Sequence, residues 1–308
     1  METDTFFIDS GTKEGYSEDI RGGISESMNE IIDLHTHSTA SDGTYTPAEL
    51  IRYAKAKGLR ALALTDHDCI DGLDEAVSVG REVGVEVIPG VELSAEFPNG
   101  TMHILGFFVD RTRAAFLQRL ATLQEARRQR NPLIVKKLQD LGLEITYDEV
   151  VAASGGGQVG RPHFARVLMQ KGYVRTNGEA FERYLKKGGP AYVEKARFSP
   201  EESIALIHEA GGVSVLAHPF TLHLPAEELD PLFERLAKAG LEGVETYYSV
   251  HTAEETLRYE RLAREWELVT SGGSDFHGAN KPNIDLGIGT GSLHVPYSVL
   301  EELRRKPH

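Results

Sequence analysis

Two histidines two residues apart, His35 and His37, close the apolar run Ile31-Ile32-Asp33-Leu34. In an extended strand, side chains at i and i+2 point the same way, so both imidazoles face one side of the strand's carboxyl end. Such a pair is a natural start for a metal site. The pattern recurs: strand-like runs end in or carry Asp66-His67, Glu92, His103, His218 and Asp275-Phe276-His277, and Asp42 sits in the loop after His37. Taken singly, each is weak. A lone histidine beside a strand is usually a core or surface residue, and an aspartate after a strand is usually a turn former. Six of the chain's twelve histidines at strand ends of one sheet, each with a carboxylate on the same or a neighbouring strand, point instead to metal binding.

The donor set is imidazole and carboxylate, without thiolate. It suits Zn²⁺, Mn²⁺ or Fe²⁺ and disfavours a closed structural zinc. So few carboxylates cannot neutralise two or three divalent ions, so the site stays positive inside a chain whose formal charge is -14. A phosphate ester is the matching guest: clustered metals polarise a phosphoryl oxygen, generate hydroxide near neutral pH and stabilise the leaving oxygen.

The elements that position these residues alternate. Thr46-Pro47-Ala48-Glu49 opens a helix as N-cap, N1 proline and capping box, and Gly58 ends it. Leu59 to Thr65 reads as a strand, a helix runs from Asp71 to about Val83, and strands follow at Val85–Val91 and Thr101–Val109. Strand and helix in alternation predict an α/β fold with a parallel sheet and a site at the strands' carboxyl edge. From about 113 to 198 the texture becomes helical: a long charged pattern from Arg113 to Leu141, interrupted near Asn131-Pro132, then shorter helices at 147–153, 162–171 and 178–187, with no buried strand. In this stretch Arg127-Arg128-Gln129-Arg130 reads as a solvated helix face. Gly155-Gly156-Gly157 reads as a flexible loop, because no P-loop lysine follows. The α/β pattern resumes at the cap Ser199-Pro200-Glu201-Glu202, through strands at 213–217, 243–248 and 268–271, to a last helix near Pro296. About seven strand–helix units predict a closed or nearly closed barrel. The expected division is a polar tail over 1–28, with Met28 as an alternative start, a barrel from 29–112 and 199–308, and a helical cap over 113–198.

Composition bounds the setting. The acidic balance argues against a broad surface for long nucleic acid. The single cysteine, Cys69, rules out an internal disulfide. With no secretory signal pattern and no apolar run of membrane-spanning length, a cytoplasmic protein without membrane contact is expected. Oligomeric state is left open.

His35-Thr36-His37, Thr65-Asp66-His67, Gly90-Val91-Glu92, His103, Ala217-His218-Pro219 and Ser274-Asp275-Phe276-His277 resemble, in order, the motifs of the PHP (polymerase and histidinol phosphatase) superfamily over about residues 31–290. Asp42 and the insertion carrying Gly160-Arg161-Pro162-His163 resemble the branch acting on nucleoside 3′,5′-bisphosphates and on the 5′ ends of short oligonucleotides. The resemblance implies a distorted (β/α)7 barrel with a trinuclear metal centre of Mn, Fe or Zn. It implies that His35, His37, Glu92 and Asp275 hold one ion. Glu92 then bridges to a second, with His103 and His218, and Asp42, His67 and His277 hold a third. Many relatives have histidine at the position of Asp42, which adds negative charge here. Asp33 and Asp66 are expected to orient the histidines. For the phosphate, Arg161 at a helix start, Lys195 and Arg197 are the candidate contacts, with His163 and His251 beside them; His251 is also a candidate leaving-group acid. The expected activity is hydrolysis of a phosphate monoester, a nucleoside 3′,5′-bisphosphate to the 5′-monophosphate. The alternatives are a 5′-to-3′ exonuclease on short RNA, a histidinol-phosphate phosphatase and a non-catalytic metal-binding module.

Overall fold

β1 (Ile32–Thr36) is buried along its whole length and ends in the first histidine pair. The computed structural model describes residues 30–98 and 100–306, so the expected tail and Met28 lie outside the described residues. Seven strands follow one another in chain order: β1, β2 (Ala61–Leu64), β3 (Glu86–Ala95), β4 (Met102–Phe107), β5 (Val213–Leu216), β6 (Gly243–Tyr248) and β7 (Val269–Gly273). The first and last strands meet through the Thr36–Phe276 bridge and the bonds from Asp275 N to His35 O and His37 N to Phe276 O. The sheet is therefore a nearly closed, distorted (β/α)7 barrel.

The alternation predicted a parallel sheet, but the sheet is mixed. β4 runs antiparallel to both β3 and β5. The β3–β4 connection is too short for a crossover helix, so the chain can only turn back. Reversal places His103, near the start of β4, at the edge where the other strands end; it stands opposite Ser94.

Local chemistry sets the helices. α1 (Pro47–Ala56) carries the expected capping box between Thr46 and Glu49. α2 (Leu73–Val83) starts two residues later than Asp71 and ends on Gly84 in the left-handed region. α3 is one helix, Ala114–Asp140, with Pro132 inside it. Proline costs one backbone bond and usually breaks a helix, and a break was expected here. Burial on both sides overrides it: Phe116, Leu120 and Leu123 pack into the barrel's core, while Ile134 and Leu138 pack into a separate one. That second core is completed by α4 (Tyr147–Ser154), α5 (Arg161–Gln170) and α6 (Asn177–Ala180), which continues as a wider turn through Leu185. No strand lies among the described residues from 113 to 198. Gly155 caps α4 with positive φ, and Gly157 packs so closely on Thr39 O that no Cβ fits there. The triple glycine is thus a packed turn against the barrel rim. The barrel resumes through α7 (Pro200–Glu209), α8 (Ala226–Lys238), α9 (Ala253–Glu265) and α10 (Tyr297–Leu303).

Phe164 is fully buried among Ile134, Leu138 and Leu168. Phe164→Ala is expected to lower the unfolding free energy by about 3–5 kcal/mol, read by denaturant titration.

Candidate active site

The strand ends converge on Glu92, which is 0% exposed. Its Oε2 lies 3.3 Å from His35 Nε2, 3.2 Å from His37 Nε2 and 2.9 Å from His67 Nδ1. Its Oε1 lies 2.7 Å from His103 Nδ1 and 2.9 Å from His218 Nε2. Asp275 Oδ1 is 3.3 Å from His37 Nε2 and 3.2 Å from His277 Nδ1. Asp42 Oδ1 is 3.2 Å from His277 Nε2, and Asp42 Oδ2 is 3.9 Å from His67 Nε2. All nine sequence-selected donors thus share one site. Within it, four groups have donor atoms mutually within 4.8 Å: His37, Asp42, His67 and His277; His35, Glu92 and His218; His35, His37 and Asp275; and His67, Glu92 and His103.

This set fits divalent ions. His35 Nε2, His37 Nε2, His67 Nδ1 and Glu92 Oε2 are buried, face one another and have no hydrogen-bond partner. Buried polar atoms are almost always paired, so four orphans pointing at one volume call for an electrophile. Burial opposes ionisation of Glu92, yet the imidazoles, led by His67 and His103, hold its carboxyl well below the usual range.

The backbone is shaped for this convergence. The β1–β2 register shifts between Asp33 and Thr36, and the β6–β7 register shifts between Glu245 and Tyr247. Such irregularities re-aim side chains. Asp68, His218 and Asp275 all have positive φ, a conformation that costs energy and clusters at working sites.

Three ring orientations are fixed by partners that the sequence did not reveal. His35 Nδ1 donates to Glu245 Oε1 at 3.0 Å, and Glu245 Oε2 accepts from His218 N at 2.7 Å. His218 Nδ1 lies 3.1 Å from Thr221 Oγ1, and His277 Nδ1 lies 2.8 Å from the Asp275 carbonyl. Each contact leaves Nε2 facing the cluster. The available signal for Glu245 was a carboxylate inside the strand Gly243–Tyr248. Asp33 and Asp66, expected to orient the histidines, make no direct hydrogen bond to an imidazole. Asp33 accepts from the backbone of His35, Ser274 and Gly287 and from the Ser274 hydroxyl. Asp66 accepts from Ser38 and Ser41, and only the Ser41 hydroxyl reaches toward His37 Nδ1, at 3.5 Å. Both carboxylates tie loops together, and Asp33 also holds the His35 backbone. Asp275 Oδ2 accepts from Tyr248 Oη at 2.6 Å and from Lys281 Nζ at 2.5 Å, two further contacts the sequence did not single out. Both line a cleft of about 260 Å³ over Glu92, His103 and His218.

Cations stand beside the cluster. Asp68, one residue past His67, is fully buried and pairs with Arg127 at 2.5 Å and Lys195 at 3.0 Å. Against burial, Lys195 and Arg127 hold the Asp68 carboxyl well below its usual range. Burial in turn pushes Lys195 down to about 7, with Asp68 opposing. The solvated-face expectation fails here: Arg127 and Arg130 are 8% and 5% exposed, and Arg128 alone of the three faces solvent, on Glu125. Arg197 pairs with Glu194. Arg161 Nη1 donates to Leu185 O at 3.0 Å. His163 is turned to capping: its Nδ1 accepts from Gly160 N at 2.9 Å. His251 stacks behind Tyr248, its ring 5.1 Å away, and gives its Nδ1 proton to Thr246 O. Burial pushes its pKa down, which favours a neutral ring with Nε2 as an acceptor and works against the expected acid role.

The PHP domain family profile matches residues 33–197. A 5′-3′ exoribonuclease of Haemophilus influenzae is 38% identical over 81% of this chain and 91% of its own. A 3′,5′-nucleoside bisphosphate phosphatase of Chromobacterium violaceum is 34% identical over 83% of this chain and 90% of its own. A solved structure from Bifidobacterium adolescentis, described as a metal-dependent phosphoesterase by assignment, superposes with a TM-score of 0.80 at 31% identity, covering 89% of this chain and 96% of that one.

Glu245→Gln removes the carboxylate that fixes the His35 ring. Affinity for a divalent ion is expected to fall by about 10–100-fold, measured by competition with a chelating dye.

Proposed function

The chain belongs to the PHP domain family and is a metal-dependent phosphoesterase, and on that premise we propose that it removes a phosphate from nucleotides, turning a nucleoside 3′,5′-bisphosphate into the 5′-monophosphate. One observation carries the choice of a phosphorylated substrate: buried Arg127 and Lys195 share a single carboxylate, Asp68, immediately beside the imidazole–carboxylate cluster.

In this reading His35, His37, Glu92 and Asp275 hold one ion. Glu92, His103 and His218 hold a second, and Asp42, His67 and His277 a third; Mn, Fe and Zn all suit these donors. Bound ions supply Lewis-acid polarisation of the phosphoryl oxygen and an acidified water. The chain does the rest. Glu245, Thr221 and the Asp275 carbonyl keep imidazole protons on the far nitrogens. Arg197 and Arg161, with Lys195 in its protonated form, set positive charge where the phosphoryl group becomes more negative, which is most effective where it is already oriented. Residues 113–198 cover the site as a cap, and their rigid attachment through Asp68 limits solvent there. The substrate is small, because the net charge of -14 disfavours long nucleic acid. A reducing cytosol suits the lone, buried Cys69; among the described residues no helix is long and apolar enough to cross a membrane.

A second reading, release of 5′ nucleotides from short oligoribonucleotides, is favoured by the shape of the cleft. Past Thr101 and His103 it meets a narrow pocket lined by Lys187 and Arg197. Phe97, Lys187 and Arg197 also line a groove of about 520 Å³ bounded by Pro98 and Arg235.

Adenosine 3′,5′-bisphosphate and a 5′-phosphorylated RNA dinucleotide, each with Mn²⁺, separate the two readings. Release of the 3′-phosphate to give AMP is the expected result; preferential cleavage of the dinucleotide selects the second reading. Glu92→Ala is expected to lose bound metal, by elemental analysis, and to drop turnover to background. Retention of both would sink the metal-site assignment.

A further inference from the structure

The helical cap reaches the ligands of the third ion through their main chain. Gln158, in the turn between α4 and α5, donates from Nε2 to the His67 carbonyl at 2.7 Å. Its own N–H donates to Ala40 O at 3.0 Å, in the loop that carries Asp42. Asn280, in the turn that follows His277, donates from Nδ2 to the Asp42 carbonyl at 2.6 Å. On its other side Asn280 receives the cap. Its Oδ1 accepts from Arg166 Nη2 of α5 at 2.8 Å, and its carbonyl accepts from Asn177 Nδ2 of α6 at 3.0 Å. Ala279 N donates to Thr44 Oγ1 at 2.9 Å, which pins the same turn to the Asp42 loop.

The other donors are held differently. Asp275 N donates to His35 O, Glu92 N to Asp66 O, Ala217 N to His103 O and His218 N to Glu245 Oε2. These partners are barrel residues, so the sheet itself shapes the first two ion groups. Asp42, His67 and His277 stand on loops past the ends of β1, β2 and β7. His67 is also bridged to Glu92, so its carbonyl contact is the part that depends on the cap. A ligand on a loop binds an ion less tightly when the loop must first be ordered, because ordering costs conformational entropy. Partners that orient a ligand in advance offset that cost. The continuous α3 and the pairs on Asp68 hold the cap whether or not this seam is made. The seam can therefore loosen without the cap leaving the barrel.

We propose that Gln158 and Asn280 are positioning residues for the third ion, so that seating of the cap along this seam and occupancy of Asp42, His67 and His277 favour each other. This rests on the three-ion reading given above. Linkage makes the effect reciprocal: the factor that a seated seam adds to the third ion's affinity is the factor that the bound ion adds to seating. The ions at Glu92 lie outside this linkage, and the third is held tightly only beneath a seated cap.

The test uses full chains: wild type, Gln158→Ala, Asn280→Ala and Asp42→Asn, each titrated with Mn²⁺ by calorimetry. The stage that Asp42→Asn weakens most belongs to the third ion. That stage is expected to weaken by about 10-fold in Gln158→Ala and in Asn280→Ala, the lower end for a group that orients a ligand, with the other stages unchanged. Equal weakening of every stage, or a lower melting temperature with every stage intact, marks a purely structural seam and overturns the proposal. The two variants sit on opposite sides of the seam, and either one suffices if the other does not fold. A second measurement reads the seam directly. Hydrogen exchange at the Gln158 amide, which is bonded to Ala40 O, is expected to slow when Mn²⁺ is added to wild type and to stay unchanged in Asp42→Asn. Equal slowing in both, or none in wild type, overturns the proposal. If wild type shows fewer than three stages, the three-ion reading fails, while the exchange comparison still decides whether metal at Asp42 and the seam are linked.

Discussion

A carboxylate sealed from water is the constraint on which this structure depends. Glu92 is fully buried at the point where five imidazoles from four other strands or their loops converge. A buried charge survives only with compensation, and here the imidazoles supply only part of it, since several face Glu92 without a hydrogen bond to it. Positive charge has to be added, and divalent ions are the compact way to add it. The barrel serves this end: ordering seven strands around one axis brings side chains from positions 35 to 277 to one edge. The reversed strand β4 is what allows His103, near a strand start, to join residues at strand ends.

The second half of the site obeys the opposite rule. Next to a cluster that collects cations stands a group of side chains that are cations. They are held apart from the ligand carboxylates by giving Arg127 and Lys195 an anion of their own, Asp68, which also accepts from Ser94 N at 2.8 Å. Lys281 differs from them: it pairs directly with a carboxylate of the cluster, Asp275, at 2.5 Å.

The sequence disclosed the donors because their signal is local. A histidine pair at i and i+2, or Asp-Phe-His after a glycine-rich strand end, is visible without knowing what packs against it. Capping boxes at Thr46 and Ser199 were readable for the same reason. What stayed hidden depends on distant contacts. Glu245 reads as an ordinary strand residue until His35, 210 residues away, is placed on it. Asp33 and Asp66 sit beside the right histidines in sequence, but their carboxylates turn to loop amides and hydroxyls. Arg127 and Arg130 are spelled like a solvated helix face, and only tertiary packing shows that this face is covered. Pro132 signals a break that burial at both ends of α3 overrules.

That helix links the two halves physically. Its first turns, through Phe116, Leu120 and Leu123, are locked into the barrel core, and its last, through Ile134 and Leu138, into the separate core beside it. Arg127 and Arg130 fall between the two anchors. Their positions relative to Glu92 are therefore set by both cores at once, not by the flexibility of a surface arm. A shift of either core moves the guanidinium groups against the metal ligands, and electrostatic stabilisation depends on charges that are already in place. It follows that the uninterrupted run of α3 through Pro132 fixes where these cations stand: a break there would uncouple them from the edge of the barrel beside them.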